Sequence, residues 1–344
     1  MIKNKQFIIP SLLLVLFLSS CQSTPKVKPK KSSSEISPIS ELSSSLTSEI
    51  SSGITSAPVT SASSSIAPTS TSTLSSSGTT GASSISSTSQ TPVPSDYYAS
   101  VKDSDTGTSL KEKLAGIIAN GFTPVEYGNR ENQTWGAMRI TDRNWELSPD
   151  ENDTNPYMYL LYLVDNENKP HKHSEVEGAW NKEHIWAKSN GFPNEGSNAY
   201  GDLHHLRASD YTNNNRRSNY CFKNLTSGTN IQDCNGNNSG ILSGEAYMPQ
   251  AKDRGDVARA LFYMATRYCK TSYGCATALQ LKFDESLNKS GGWWGNLETL
   301  LTWHEQDPVD NFEINRNNLI FERYQHNRNP FIDHPEYARR IWFE

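Results

Sequence analysis

Apolar positions fall into a few separated, periodic segments in the second part of the chain. Ser109 is followed by Leu110, Leu114, Ile117 and Ile118, one face of an amphipathic helix with a serine at its cap. Tyr157 to Val164 is a mostly apolar run whose length suits either a strand or a buried helical segment. Gly178 to Ala187 mixes aromatic and β-branched residues with polar ones and reads as strand with a bend. Polar residues dominate Ser209 to Asn219, where Asp210 is placed to cap a helix. Between Gly255 and Cys269, Val257, Leu261, Met264 and Tyr268 share one helical face. Leu297, Leu300, Leu301 and His304 predict another helix ending before Pro308, and Glu313 to Gln325 a third. Helices interspersed with short strands predict an α+β domain, mostly helical with a small antiparallel sheet, rather than a βαβ array.

Upstream, the periodicity disappears. Of the 64 residues from Ser32 to Ser95, 37 are Ser or Thr and none is aromatic. Such a segment cannot bury enough apolar surface to offset its conformational entropy, so it predicts a disordered tether. The folded part is therefore expected over residues 96–344, which hold all the Trp, Tyr and His of a 344-residue chain. Residues 1–95 carry six Lys and three acidic residues, which leaves 26 basic against 34 acidic, a net charge of −8, on the folded part. Bulk attraction to a polyanion is excluded by that balance. A nucleic-acid role would need a local basic patch or a bound cation.

The first residues read as an export signal. Lys3 and Lys5 precede an apolar run from Phe7 to Phe17, too short for a comfortable membrane span. Leu18-Ser19-Ser20-Cys21 resembles the lipobox of bacterial lipoprotein signals. The resemblance implies a signal peptide over residues 1–20, a lipid anchor on Cys21, a tether over 21–95 and an extracytoplasmic location at a bacterial membrane. The remaining cysteines, Cys221, Cys234, Cys269 and Cys275, allow three disulfide connectivities. Cys221–Cys234 and Cys269–Cys275 are preferred because both close short loops; none shows the C-x-x-C spacing of a zinc site.

Three polar blocks carry the chemistry: Trp180-Asn181-Lys182-Glu183-His184-Ile185-Trp186, Gly201-Asp202-Leu203-His204-His205-Leu206, and Asn213-Asn214-Asn215-Arg216-Arg217-Ser218-Asn219. Phosphodiester hydrolysis needs an activated water, a cation on the phosphate oxygens and stabilisation of the leaving 3′ oxygen. A neutral imidazole is a suitable base because its pKa lies near operating pH. A hard cation such as Mg²⁺ takes oxygen ligands and keeps most of its waters, so one carboxylate and one amide suffice. Glu183, His184 and Asn214 supply that minimum. If residues 210–219 are helical, Asn214, Arg217 and Ser218 share a face. Neighbours in a flat strand point to opposite sides, so Glu183 and His184 require a bend, a bulge or a strand end to reach one site.

At these residues the chain resembles the bacterial endonuclease I family, whose members carry a ββα-metal (His-Me finger) motif. Further matches are Gly255 to Ala260, Trp303 to Asp310 and Gln325 to Glu336, so the likeness covers most of residues 108–340. The resemblance implies His184 as general base and Glu183 and Asn214 as ligands of Mg²⁺ or another divalent ion such as Mn²⁺ or Ca²⁺. It implies cleavage of DNA, and also RNA, with little sequence preference, to 5′-phosphate and 3′-hydroxyl ends. Two positions depart from the pattern: Tyr200 stands where some members have an acidic residue, and no Arg lies between His184 and Asp202. Lys188, Arg207, Arg216 and Arg217 are therefore all candidates for phosphate contact. Asp202 and one of His204 and His205 are expected to support the site.

Other readings of the same residues predict different things. His204 and His205 with His184 would be zinc ligands of another esterase. His171 and His173 are expected to be solvated, and His304-Glu305 lacks the second histidine of a zinc protease. Trp293-Trp294 suits core packing better than base stacking, and Asn327-Arg328-Asn329-Pro330 suits a structural turn. No obligate protein partner is evident, which fits a monomer. A surface lipoprotein that binds nucleic acid or another polymer without cutting it is the alternative function.

Overall fold

The stripe of Leu110, Leu114 and Ile118 forms α1 (Gly107–Ala119), which starts at Thr106 rather than Ser109 and buries those three side chains completely. A short helix α2 (Thr134–Thr141) follows. β1 (Trp180–His184) pairs antiparallel with β2 (Leu206–Asp210), and α3 (Tyr211–Arg217) leaves β2 directly. Next come β3 (Cys221–Phe222), β4 (Thr229–Gln232), β5 (Asn238–Ser243) and β6 (Ala246–Pro249), in the sheet order β3-β6-β5-β4. α4 (Arg254–Arg267), β7 (Gln280–Leu281), β8 (Trp293–Trp294), α5 (Leu297–Gln306), α6 (Asn311–Arg323), α7 (Pro330–Asp333) and α8 (Tyr337–Trp342) complete the chain. This is the α+β arrangement that the periodicity predicts.

This computed structural model describes residues 93–164, 179–283 and 291–344. The expectations for the leader, Cys21 and nearly all of the tether, and for His171 and His173, lie outside the described residues. Among the described residues no helix is long and apolar enough to cross a membrane.

α4 is the centre of the larger core. Val257, Ala258, Leu261, Phe262, Met264 and Ala265 are all fully buried against α1, α5 and α7. Burying each large side chain stabilises the fold by about 1.5–3 kcal/mol before entropy is counted. A second core gathers Met138 of α2, Met158, Leu160, Trp180 of β1, Leu206 and Ala208 of β2, and Ile320 of α6. The β1–β2 ribbon is thus anchored along its length, from Trp180 to Leu206. Trp294 is fully buried beside Trp186, 5.6 Å between ring centroids, so it serves packing as expected.

Buried ion pairs tie the helices together and absorb several sequence motifs. Asp142, after α2, receives both Arg207 of β2 and Arg316 of α6, while Arg207 also reaches Asp256 of α4. Arg259 holds Glu313 through two hydrogen bonds of 2.6 Å. In the Asn-Arg-Asn-Pro turn, Arg328 pairs with Asp333 and Asn329 caps α7 with Pro330 at its first position. That turn is structural, as its sequence suggests.

The four cysteines of the described residues are free thiols, and neither expected bridge forms. β3 and β4 are opposite edges of their sheet, so three strand spacings alone hold Cys221 at least about 14 Å from the β4 end near Cys234, and the register adds a further offset along the strands. A disulfide requires Cα atoms within roughly 7 Å. Cys275 faces the Gly191 carbonyl instead, 3.6 Å away, while Cys269 lies beside Lys111 and Lys270.

Three buried histidines give the fold an acid sensitivity. Burial drives His204, His205 and His304 down to about 4, the Arg259 guanidinium adding to the effect at His304. A depressed folded value means that the unfolded chain takes up protons first, so stability is lost as pH falls from 6.5 towards 4. Asp253, raised to about 6 by burial, titrates in the opposite sense. Comparing wild type with His304→Gln isolates one histidine. Thermal unfolding of the variant should lose about 2–3 kcal/mol less between pH 7 and pH 4. An unchanged pH dependence would contradict the assignment.

Candidate active site

β1, α3 and the segments around Tyr127 and from Ala187 to Tyr200 enclose a cavity of about 770 Å³. Its walls include Asn181, Lys182, Glu183 and His184 from β1, Lys188 and Ser189 after it, Asn214, Arg217 and Ser218 from α3 and its end, and Tyr127 and Tyr200. Glu183, His184 and Asn214 are therefore brought to the same space. The β1–β2 register runs without a bulge up to the His184–Leu206 pair, where the strand stops. Of the three devices that would reconcile two adjacent residues with one site, the fold uses the strand end.

α3 forms as its sequence predicts. The Asp210 side chain accepts a hydrogen bond from the Asn213 backbone N–H, 2.8 Å, which fixes the first turn. Asn214, Arg217 and Ser218 then face the cavity together. The Asn214 amide nitrogen donates to Asn181 Oδ1 at 2.8 Å, which orients the group and leaves its Oδ1 with no donor among the described residues.

Glu183 is 2% exposed. Its Oε1 accepts from the Tyr162 hydroxyl and from Arg217, both 2.9 Å, while Oε2 accepts no hydrogen bond among the described residues. Burial raises its pKa, and the Arg217 charge and Tyr162 hydrogen bond pull it back. Arg217 also donates to the carbonyls of His184 (2.9 Å) and Ile185 (2.6 Å), and stacks on Phe222. It thereby pins the β1 terminus and neutralises the carboxylate at once.

His184 Nε2 lies 2.9 Å from the Tyr200 carbonyl oxygen. A carbonyl can only accept, so Nε2 carries the proton and Nδ1 holds the lone pair of the neutral ring. Nδ1 has no hydrogen-bond partner among the described residues. Burial, then the His205 ring, holds the pKa well below the ordinary imidazole range, with Lys188 and Lys182 acting in the same sense and the Tyr200 carbonyl opposing them. The rings of Tyr127, Tyr200 and His205 pack around it at 5.5, 4.6 and 5.6 Å between centroids. Gly201, next along the chain, is packed against the Val125 backbone: a Cβ there would stand 2.2 Å from the Val125 carbonyl oxygen.

The remaining sequence-selected residues divide clearly. Asp202 is fully buried, accepting from Tyr263, Tyr268, Gln325 and the His204 backbone, and so organises the loop that carries Tyr200. His204 bonds Asn327, and His205 donates to the Ala199 carbonyl at 2.8 Å while packing on His184. Among the described residues no three His, Cys, Asp or Glu side chains cluster to hold a metal, so the zinc triad reading has no geometric basis. Arg207 is committed to Asp142 and Asp256, and both terminal nitrogens of Arg217 are taken by protein oxygens. Arg216 lies outside the cavity, in a groove on the other side of α3. Of the four candidates, Lys188 and Arg217 line the cavity, and the Lys188 Nζ stands 2.6 Å from the Tyr200 hydroxyl. Lys182, which was not among them, lines the wall and bonds the Gly128 carbonyl at 3.2 Å. The lining thus holds Lys182, Lys188 and Arg217 against Glu183 and Glu195, a local positive balance in a negatively charged domain.

The site places a neutral imidazole beside two oxygens that have no hydrogen-bond partner among the described residues. Residues 106–336 match the Endonuclease I family, and the chain belongs to it, which makes it a nuclease acting on phosphodiester bonds. Two relatives are the extracellular ribonucleases of Bacillus amyloliquefaciens and Bacillus subtilis (strain 168), each 39% identical over 248 residues. The alignment covers 72% of this chain and 78% and 79% of theirs. Nucleases of this family generally use a divalent metal ion.

Proposed function

We propose that the chain is a metal-dependent, largely sequence-nonspecific endonuclease that hydrolyses RNA and DNA to 5′-phosphate and 3′-hydroxyl ends. The observation that carries this reading is the shared cavity lined by His184, Glu183 and Asn214, whose Nδ1, Oε2 and Oδ1 have no hydrogen-bond partner among the described residues. Two oxygens of that kind, one anionic and one amide, suit a hard cation that keeps several waters, so the residues fit the ion. Glu183 and Asn214 would hold it; Mg²⁺ is the first candidate and Mn²⁺ or Ca²⁺ the others. Bound there, the cation neutralises charge on the phosphoryl group and the leaving oxygen.

The protein groups supply the rest. His184 Nδ1 removes a proton from the attacking water as the oxygen adds to phosphorus, and the Tyr200 carbonyl holds the ring in the required tautomer and favours the imidazolium that forms. The P–O3′ bond breaks, its electron pair stays on the 3′ oxygen, a solvent water protonates that oxygen to the hydroxyl, and His184 then releases its proton to solvent. Lys188 contacts a phosphate oxygen in place of the missing arginine. The names of the relatives support RNA as a substrate and export as the destination; the lipid anchor on Cys21 rests on the lipobox alone.

Incubation of purified protein with RNA and with plasmid, with Mg²⁺ or with chelator, tests the reading. Metal-dependent loss of both substrates with 5′-phosphate ends is expected; binding without cleavage would favour a passive surface protein. Asn214→Asp should keep more activity than Asn214→Ala, since it preserves an oxygen at that position. The reverse order of rates would remove Asn214 from the metal.

A further inference from the structure

α3 separates two polar grooves. Successive helical residues are rotated by about 100°, so Asn214 and Arg216 project on nearly opposite sides and Asn215 stands at the crest between them. Asn214 and Asn215 line the catalytic cavity, whereas Thr212 and Arg216 line a second groove of about 470 Å³. Its far wall is the sheet edge strand β4, whose Thr229, Asn230 and Gln232 are exposed. Arg216 is exposed and has no ion-pair or hydrogen-bond partner among the described residues. The one carboxylate in the lining, Asp233, is already occupied by the backbone N–H groups of Val164, Asn235 and Asn237. A guanidinium with no partner among the described residues, beside hydroxyl and amide groups and one carboxylate held by backbone N–H groups, has the composition of a nucleic-acid backbone contact.

We propose that this groove binds the polynucleotide strand flanking the scissile bond, with Arg216 on a backbone phosphate one or a few nucleotides away. The strand leaves the catalytic cavity over Asn215 and enters the groove between α3 and β4. The site thus acts on chain length and extends the nuclease reading, on which it rests. Its contribution disappears for substrates too short to cross the crest.

The test compares kcat/KM on a 20-nucleotide RNA and on a dinucleotide, for wild type, Arg216→Glu and Arg216→Lys, at several salt concentrations. The ratio of long to short substrate should fall about tenfold in Arg216→Glu, by the order of 1.4 kcal/mol that such a change represents. Arg216→Lys, which keeps the charge, should retain most of it. The dependence of log(kcat/KM) for the long RNA on log salt should become shallower by about 0.7 in Arg216→Glu. A wild type that cleaves both RNAs, with a ratio and salt slope indifferent to Arg216→Glu, overturns the groove assignment alone. A wild type that cleaves neither overturns the nuclease reading and the groove with it.

Discussion

Replacing His184 with alanine should lower single-turnover RNA cleavage by at least about 100-fold, the low end of what a positioned base contributes. The loss should appear in the chemical step and leave RNA binding to the lysine-lined cavity largely intact. The expectation is sharpened by the tautomer. With Nε2–H held by the Tyr200 carbonyl, only Nδ1 is free to take a proton. His184→Asn should therefore not rescue the rate, because its amide offers no comparable base. Near-wild-type cleavage by His184→Ala, with unfolding unchanged, would remove the histidine from the chemistry.

Arg217→Met should be the most destabilising change at the site, costing about 3–5 kcal/mol. It strands the buried Glu183 carboxylate with only the Tyr162 hydroxyl for a partner. For a domain of this size, that is a drop of order 10 °C in Tm. The origin of the loss can be separated from lost packing on Phe222. Adding Glu183→Gln removes the stranded charge and should restore part of the stability, though not activity. A double variant no more stable than Arg217→Met would show that the guanidinium acts through packing and its carbonyl bonds rather than through charge.

Long amphipathic patterns translated directly into α1, α4 and α5, because a stripe of Leu, Ile, Val and Met has one way to be buried, whereas α6 buries Glu313, Arg316, Asn317 and Asn318 beside Leu319 and Ile320. The Asp210 cap and the shared face of Asn214, Arg217 and Ser218 were legible for a similar reason, since local spacing fixes local geometry. The four-stranded sheet over residues 221–249 was not. Its β4, Thr-Asn-Ile-Gln, buries only Ile231, and β3 has two residues, so neither shows a period. α2 was hidden too, as Thr134-Trp135-Gly136 is a poor helical opening whose burial comes from tertiary contacts.

At the site, the oxygen and imidazole groups were readable but their partners were not. Tyr162 reaches Glu183 from an irregular segment in which its own φ is +67°. The Tyr200 contact to His184 uses a backbone carbonyl, which every residue has, so no side-chain pattern could announce it. The arginines misled for a common reason: charge in a sequence does not say whether a carboxylate waits inside. Arg207 found two and Arg217 one, and Arg217 also donates to two backbone carbonyls.

Anomalous diffraction from crystals soaked in Mn²⁺ addresses most directly the convergence of base and cation on one phosphodiester. A manganese peak in contact with both Glu183 and Asn214 oxygens, on the His184 side of the cavity, and absent from Asn214→Ala crystals, is the expected result. An empty cavity in crystals of protein whose RNA cleavage demands manganese, or a peak bound elsewhere, would contradict it.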